Sequence, residues 1–207
     1  MSWWQRTWRR AIYGRPIVVV SGLPRSGTSM MMSMLEAGGL PVWTDGVRAA
    51  DDQNPNGYYE LERIKELDKP LDKRWLREGR GRAVKVISSL IEHLPSGNHY
   101  QVIFMNREMS EVLQSQSKML VQRGEGDDGA RDAHLAAAYA AHLRRVKALL
   151  AQDARFTALH VAYADVLADP QTVSTRIGTF LGAPLNLRRM ATAVDGGLYH
   201  NRSKISS

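Results

Sequence analysis

Apolar residues run without interruption through IVVV at positions 17–20, and polar residues take over at once in the loop GLPRSGTS that follows. A half-exposed strand alternates apolar with polar residues. An unbroken run over Ile17–Ser21 therefore predicts a parallel strand covered on both faces. The apolar positions return in MMMSML, which predicts a helix over Thr28–Ala37 that stops at the Gly38-Gly39 pair. LPVWTDGV reads as a short strand and loop, and DDQNPNGYYE as turn chemistry with its Asn-Pro and Asn-Gly pairs. Charge-rich helical sequence runs from Tyr59 to Glu78, interrupted at Pro70.

The rest of the chain alternates in the same way. Strands are predicted over Ala83–Ile87, after the basic turn REGRGR, and over Gln101–Met105. A helix follows over Met109–Gln122, then the polar loop GEGDDGA and a long alanine-rich helix over Arg131–Gln152. A strand over Thr157–Ala162 and a helix over Pro170–Leu181, ending at Gly182, complete the pattern. Strand–helix alternation implies an α/β fold: a P-loop-type parallel β-sheet with helices on both faces. With 207 residues, no internal repeat and no linker, a single domain is expected over 1–207.

Composition changes this picture little. Hydrophobic content of 43% and charged content of 24% are those of an ordinary globular chain. The absence of cysteine removes disulfides, thiolate metal sites and cysteine nucleophiles. A net charge of +7 calls for anionic partners without choosing among nucleotide, nucleic acid and membrane surface. No run of about 18 apolar residues is present to span a bilayer. The segment 1–15 is basic and tryptophan-rich, with Trp4, Trp8 and Ile12 (or Ala11) on one helical face, opposite or beside Arg6, Arg9 and Arg10. Two readings stand: peripheral membrane contact through Trp3, Trp4 and Trp8, or a short helix packing its tryptophans on the domain. A cytoplasmic location is expected.

The loop GLPRSGTS carries the candidate chemistry. It fits G-x-x-x-x-G, but Thr28 and Ser29 follow where a nucleotide loop has Lys-Ser or Lys-Thr. Backbone N–H groups of such a loop and of the helix start converge on an anion, aided by the helix dipole. Arg25 supplies charge from inside the loop, and Ser26, Thr28 and Ser29 add hydroxyls. A planar, always-charged arginine suits a terminal oxyanion without metal help. After the strand VIFM comes Asn106-Arg107, a cation where a nucleoside triphosphatase often places a Mg²⁺-organising aspartate. Arg107 and Ser115, at the start and middle of the next helix, are placed to close on a second phosphate at the strand's carboxyl end.

PRSGTS after a strand, then FMNREMSEVLQS, then YADVLADPQTVSTRIGTFLG, resemble in order and spacing the sulfotransferases that use 3′-phosphoadenosine 5′-phosphosulfate (PAPS). The resemblance runs from about Ile17 to Gly182. Its arginine-type loop is similar to that of the protein-tyrosine branch, and the whole has the look of short bacterial sulfotransferase-like proteins. It implies that Arg25, Ser26, Gly27, Thr28 and Ser29 bind the phosphosulfate, that Arg107 and Ser115 bind the 3′-phosphate, and that Tyr163 contacts the cofactor. PAPS has no γ-phosphate, so neither the loop lysine nor its Mg²⁺ is demanded. Met30 stands where the cytosolic enzymes stack a tryptophan on adenine, so adenine is held differently.

The resemblance also implies catalytic roles. Lys85 in AVKVI is like the strand lysine that steadies the bridging oxygen, and a lysine in an apolar strand calls for an anionic partner. The cytosolic enzymes place a histidine two residues later, where this chain has Ile87. In the protein-tyrosine branch the base is a glutamate after the first helix; Asp45 occupies that region and is preferred here, with Glu60 and Glu62 as alternatives. His93 is read as structural, Asp127 and Asp128 as solvated, and the six histidines show no metal-binding spacing. The basic tail 196–207 either closes over the 3′-phosphate through Arg202 and Lys204 or frays.

The expected activity is metal-independent transfer of a sulfuryl group from PAPS to a hydroxyl or amine acceptor of unknown identity. A P-loop nucleotide kinase or NTPase and a non-catalytic PAPS-binding protein are the alternatives. A nucleic-acid partner accounts for the charge but for none of the motif spacing.

Overall fold

The structure, a computed structural model, describes residues 11–45, 59–122 and 129–194. Trp3, Trp4 and Trp8, the Asp127-Asp128 pair, and Arg202 and Lys204 lie outside the described residues. Four strands, β1 (Ile17–Gly22), β2 (Ala83–Lys85), β3 (Tyr100–Asn106) and β4 (Phe156–Ala162), form one parallel sheet in the order β2-β1-β3-β4. In register, Val20 lies beside Lys85, Gly22 beside Met105, and Asn106 beside Ala162. The carboxyl ends of all four strands therefore meet along one edge of the sheet.

Alternation of side chains along each strand feeds two cores. Val18, Val20, Ile103, Met105 and Val161 pack under α1 (Thr28–Ala37), α5 (Pro170–Leu181) and α6 (Leu187–Thr192). Ile17, Val19, Val102 and Phe104 pack on the other face, against Val146 and Leu150 of α3 (Gly129–Gln152) and three 3₁₀ turns. Helical segments cover both faces, which is why β1 is buried along its whole length. Met30, Met31, Met32, Met34 and Leu35 of α1 are all buried, and the unbranched methionine side chains fill an uneven interface well. The helix ends at Gly38 and Gly39 as expected, with Leu40 N–H bonding back to Leu35 O at 3.0 Å. Asp169 caps α5, accepting from Thr172 N–H at 2.9 Å, with Pro170 at its first position. Between β3 and α3 lies α2 (Met109–Gln122), where the sequence puts it.

Two expectations are corrected. The stretch Tyr59–Glu78, expected as helical sequence interrupted at Pro70, forms not α-helix but two 3₁₀ turns, Glu62–Glu66 and Arg74–Gly79, one on either side of that proline. Its buried anchors, Ile64 and Leu67, are three residues apart, and the Asp45 carboxylate takes the Glu62 N–H at the start. Strand β2 ends at Lys85 rather than Ile87: Val86 N–H still reaches Val20 O at 3.0 Å, and a 3₁₀ turn begins at Ser88. Tyr163 opens α4 (Tyr163–Ala168), directly after β4 and just ahead of α5.

Candidate active site

The loop from β1 to α1 is shaped by its glycines and by Ser26. A Cβ on Gly22 would lie 2.3 Å from Ser26 Oγ and 2.7 Å from Met105 O, so a side chain there would split the loop from β3. Gly27, the N-cap of α1, has φ 90°, and a Cβ on it would meet the Tyr163 ring at 2.5 Å. Ser26 is buried, and its hydroxyl donates to Leu23 O at 2.7 Å. Its hydrogen braces the loop instead of pointing outward. Arg25 adopts φ 66°, a left-handed conformation that costs a non-glycine residue about 1 kcal/mol or more. That turn aims the arginine along the sheet edge.

There Arg25 meets the end of β3. Arg25 Nε donates to Ser115 Oγ of α2 at 2.9 Å, and Arg107 Nη1 donates to Arg25 O at 3.0 Å. The Arg107 guanidinium lies 4.3 Å from the Tyr163 ring centre, a cation–π contact, and its Nε donates to Glu111 Oε2 at 2.8 Å. The Arg107 side chain is only 8% exposed and Glu111 14%, so this pair is held largely out of water. Burial pushes the Tyr163 hydroxyl pKa up, although Arg107 and Arg25 pull it down. The expected cofactor residues Arg25, Ser26, Gly27, Arg107, Ser115 and Tyr163 thus form one connected cluster. A cleft of about 230 Å³ beside it is lined by Ser26, Asn106, Arg107, Glu111, Lys147 and Tyr163, among others.

A second cluster sits at the end of β2. Lys85 Nζ donates to Ser29 Oγ in the first turn of α1 at 3.3 Å. It lies 3.9 Å from Glu60 Oε1, a Coulombic pair rather than a hydrogen bond. The other Glu60 oxygen pairs with Lys65 Nζ at 3.2 Å. Lys65 also bonds Glu62, and the two carboxylates hold its pKa above the ordinary lysine value, Glu62 contributing more. Thr28 opens α1, so it and Ser29 occupy the helix start where backbone N–H groups have no intrahelical partner.

Asp45, Glu60 and Glu62 take different places. Asp45 Oδ2 accepts from the Glu62 N–H at 2.6 Å, and Asp45 N–H reaches Glu60 O at 3.3 Å. Thr44 Oγ1 also donates to Glu60 O, at 2.7 Å. Asp45 therefore clasps the backbone at Glu60 and at Glu62, on either side of Leu61. Glu60 is the carboxylate brought to Lys85. Sequence reasoning passed over Glu111 and Tyr59; the four-residue spacing of Arg107 and Glu111 across the start of a predicted helix was the available signal for the first.

Among the described residues, no group of three or more His, Asp or Glu is placed to hold a metal ion, and no helix is long and apolar enough to cross a membrane.

No protein-family model matches the sequence, and no curated protein does. Solved structures do resemble it. The sulfotransferase domain of the Synechococcus PCC 7002 olefin synthase shares 18% identity and superposes with a TM-score of 0.56, over 88% of this chain and 78% of that one. The sulfotransferase domain of the curacin biosynthetic pathway shares 15%, with a TM-score of 0.52 over 91% and 81%. A Mycobacterium tuberculosis sulfotransferase shares 15%, with a TM-score of 0.55 over 92% and 74%. At such identities the likeness is one of architecture: the chain has a sulfotransferase-like α/β fold.

Proposed function

We propose that the protein transfers a sulfuryl group from PAPS to a hydroxyl or amine acceptor without a metal ion. The observation that carries this reading is the position of Lys85. The loop has Thr28 where a nucleotide loop has its lysine, yet an ammonium is delivered to the first turn of α1 from the neighbouring strand. It sits beside a carboxylate, at the end of the sheet edge that also bears Arg25 and Arg107. The donor set (helix N-terminus, two guanidinium groups, one ammonium, serine hydroxyls) fits an anion with two separated charged groups, as PAPS has.

PAPS supplies an activated sulfuryl group, whose bond to the phosphate oxygen breaks as the acceptor oxygen or nitrogen bonds to sulfur. Lys85 and Arg25 meet the negative charge left on that phosphate, as preorganised cations that need no rearrangement during the reaction. Glu60 takes the acceptor's proton on Oε1, the oxygen facing Lys85. Arg107 and Ser115 hold the 3′-phosphate, away from the bond that breaks. Asp45 does not take the proton in this reading: its carboxylate is engaged with the Glu62 N–H, and it steadies the segment bearing Glu60.

The test is ligand selectivity. PAP should raise the melting temperature by the linkage of binding to folding, and AMP, lacking the 3′-phosphate, should do so much less. Equal shifts from both nucleotides would remove Arg107 and Ser115 from this role. Activity should survive EDTA; a Mg²⁺ requirement with ATP as donor would point to a kinase instead.

A further inference from the structure

Among the described residues, Tyr59 is the one non-glycine residue besides Arg25 in a left-handed backbone conformation, with φ 50°. Such a conformation is strained for a non-glycine residue and persists only where surrounding contacts over-determine it. Here they are visible. The Tyr59 hydroxyl donates to Glu36 Oε2, in the last turn of α1, at 2.7 Å. Its ring packs at the margin of the methionine-rich core under α1. The next residue, Glu60, has its carbonyl held by Thr44 Oγ1 at 2.7 Å and Asp45 N–H at 3.3 Å. The residue after Leu61 is tied by its N–H to Asp45 Oδ2 at 2.6 Å. Both sides of Glu60 are therefore fixed, by α1 through Tyr59 and by the 44–45 segment through its backbone.

From this geometry we infer that Tyr59 is a positioning residue, whose hydrogen bond to Glu36 holds the Glu60 carboxylate against Lys85. The role in catalysis rests on the sulfotransferase reading; the mechanical role does not. One end of α1 meets Lys85 through Ser29, and the other meets the Glu60 segment through Glu36. The helix thus sets the distance between the carboxylate and the cation. Burial, and then the bond to Glu36, push the Tyr59 pKa up to about 12 against an opposing pull from Ser33, so the hydroxyl keeps its proton. It stays a donor.

Three variants test the inference. Tyr59→Phe removes the hydroxyl and keeps the ring; Glu36→Ala removes the acceptor; Glu36→Gln keeps an acceptor oxygen. Glu36 is exposed on the helix, so neither of its substitutions threatens folding. Amide hydrogen exchange at Asp45 and Glu62 should quicken in Tyr59→Phe and Glu36→Ala and stay near normal in Glu36→Gln. With an acceptor that the wild-type protein sulfates, the first two should lower kcat roughly tenfold, the worth of one hydrogen bond. KM for PAPS and Kd for PAP should move less than about twofold, as for remote surface changes. Unchanged exchange in Tyr59→Phe would overturn the inference, as would faster exchange with normal kcat, or Glu36→Gln behaving like Glu36→Ala. If the wild-type protein binds PAP but transfers nothing to any acceptor, the sulfotransferase reading falls and the exchange result alone decides the tether.

Discussion

Lys85 Nζ donates to Ser29 Oγ at 3.3 Å, across 56 residues of sequence. A strand lysine thereby reaches the helix start that the loop's own residue, Thr28, leaves without a cation. Its side chain is 12% exposed, and placing an ammonium there is costly unless an anion shares the site. Lys85→Ala should lower kcat by roughly 10²–10³-fold, the usual loss for one transition-state donor, and weaken PAP binding far less. Steady-state kinetics beside PAP titration separates the two. A raised KM for PAPS with normal kcat would make Lys85 a ground-state binding residue.

Arg107 should show the opposite split. It is the cation stacked on Tyr163 and bonded to both Glu111 and the Arg25 carbonyl, and in the proposed reading it holds the phosphate remote from the reacting bond. Arg107→Ala should weaken PAP binding by about 1.5–3 kcal/mol, the worth of hydrogen bonds to charged groups. Calorimetric titration should find AMP affinity nearly unchanged by the same substitution. Arg107→Lys should rescue little, because one ammonium cannot make the Nε and Nη1 bonds together. Parallel losses for PAP and AMP would mean that Arg107 holds the loop and not the 3′-phosphate.

The choice of base turns on Glu60 and Asp45. Glu60→Gln should reduce turnover about 10²–10⁴-fold, the range for loss of a general base. Asp45→Asn keeps an oxygen for the Glu62 N–H and should cost little, whereas Asp45→Ala, which keeps none, should cost more. All three proteins should bind PAP normally. If Asp45→Asn abolishes turnover and Glu60→Gln does not, the proton goes to Asp45.

Stability should fall on mild acidification, and His142 should account for part of the fall. Its ring bonds Ser88 Oγ at 2.8 Å on the α3 side of the sheet. Burial first, and then Arg145, depress its pKa below the ordinary 6.5, with Glu92 opposing. The folded state thus resists protonation more than the unfolded chain does. The resulting stability is complete above the unfolded value and is lost as pH drops through the lower folded value. His160, depressed by burial and then by Lys147, acts in the same direction. Melting curves between neutral pH and about pH 5 should therefore be flatter for His142→Gln than for the wild type. Equal slopes would place the acid sensitivity elsewhere.

Much of this arrangement was legible in the sequence, for local reasons. The run Ile17–Val20 and the glycines at 22 and 27 announce a strand, a tight loop and a helix start. Each of those glycines proves to sit where a side chain would strike Ser26 or Tyr163. The eight-residue spacing of Arg107, just after β3, and Ser115, on the helix that follows, was readable for the same reason. What could not be read depends on contacts between distant segments. The Arg25–Ser115 bond spans ninety residues, and Glu60 comes near Lys85 on a segment whose backbone is bonded by Asp45 and Thr44 and turns left-handed at Tyr59. No propensity favours such a turn at tyrosine. The sequence preference for Asp45 as base rests on its place after the first helix, which matches the protein-tyrosine pattern; that similarity carries no information about where its oxygens point, and the bond to the Glu62 N–H comes only with the fold. The short helices α4 and α6 left no periodic signal, since six residues are fewer than two turns.

The central claim is that this edge of the sheet moves a sulfuryl group from PAPS. Incubation with sulfur-labelled PAPS and a panel of lipid, carbohydrate, peptide and small phenolic acceptors, with and without EDTA, tests it most directly. Label should appear on at least one acceptor with stoichiometric release of PAP, unaffected by EDTA and lost in Lys85→Ala. No transfer to any acceptor by protein that binds PAP would contradict it, as would transfer that requires Mg²⁺ or proceeds from ATP.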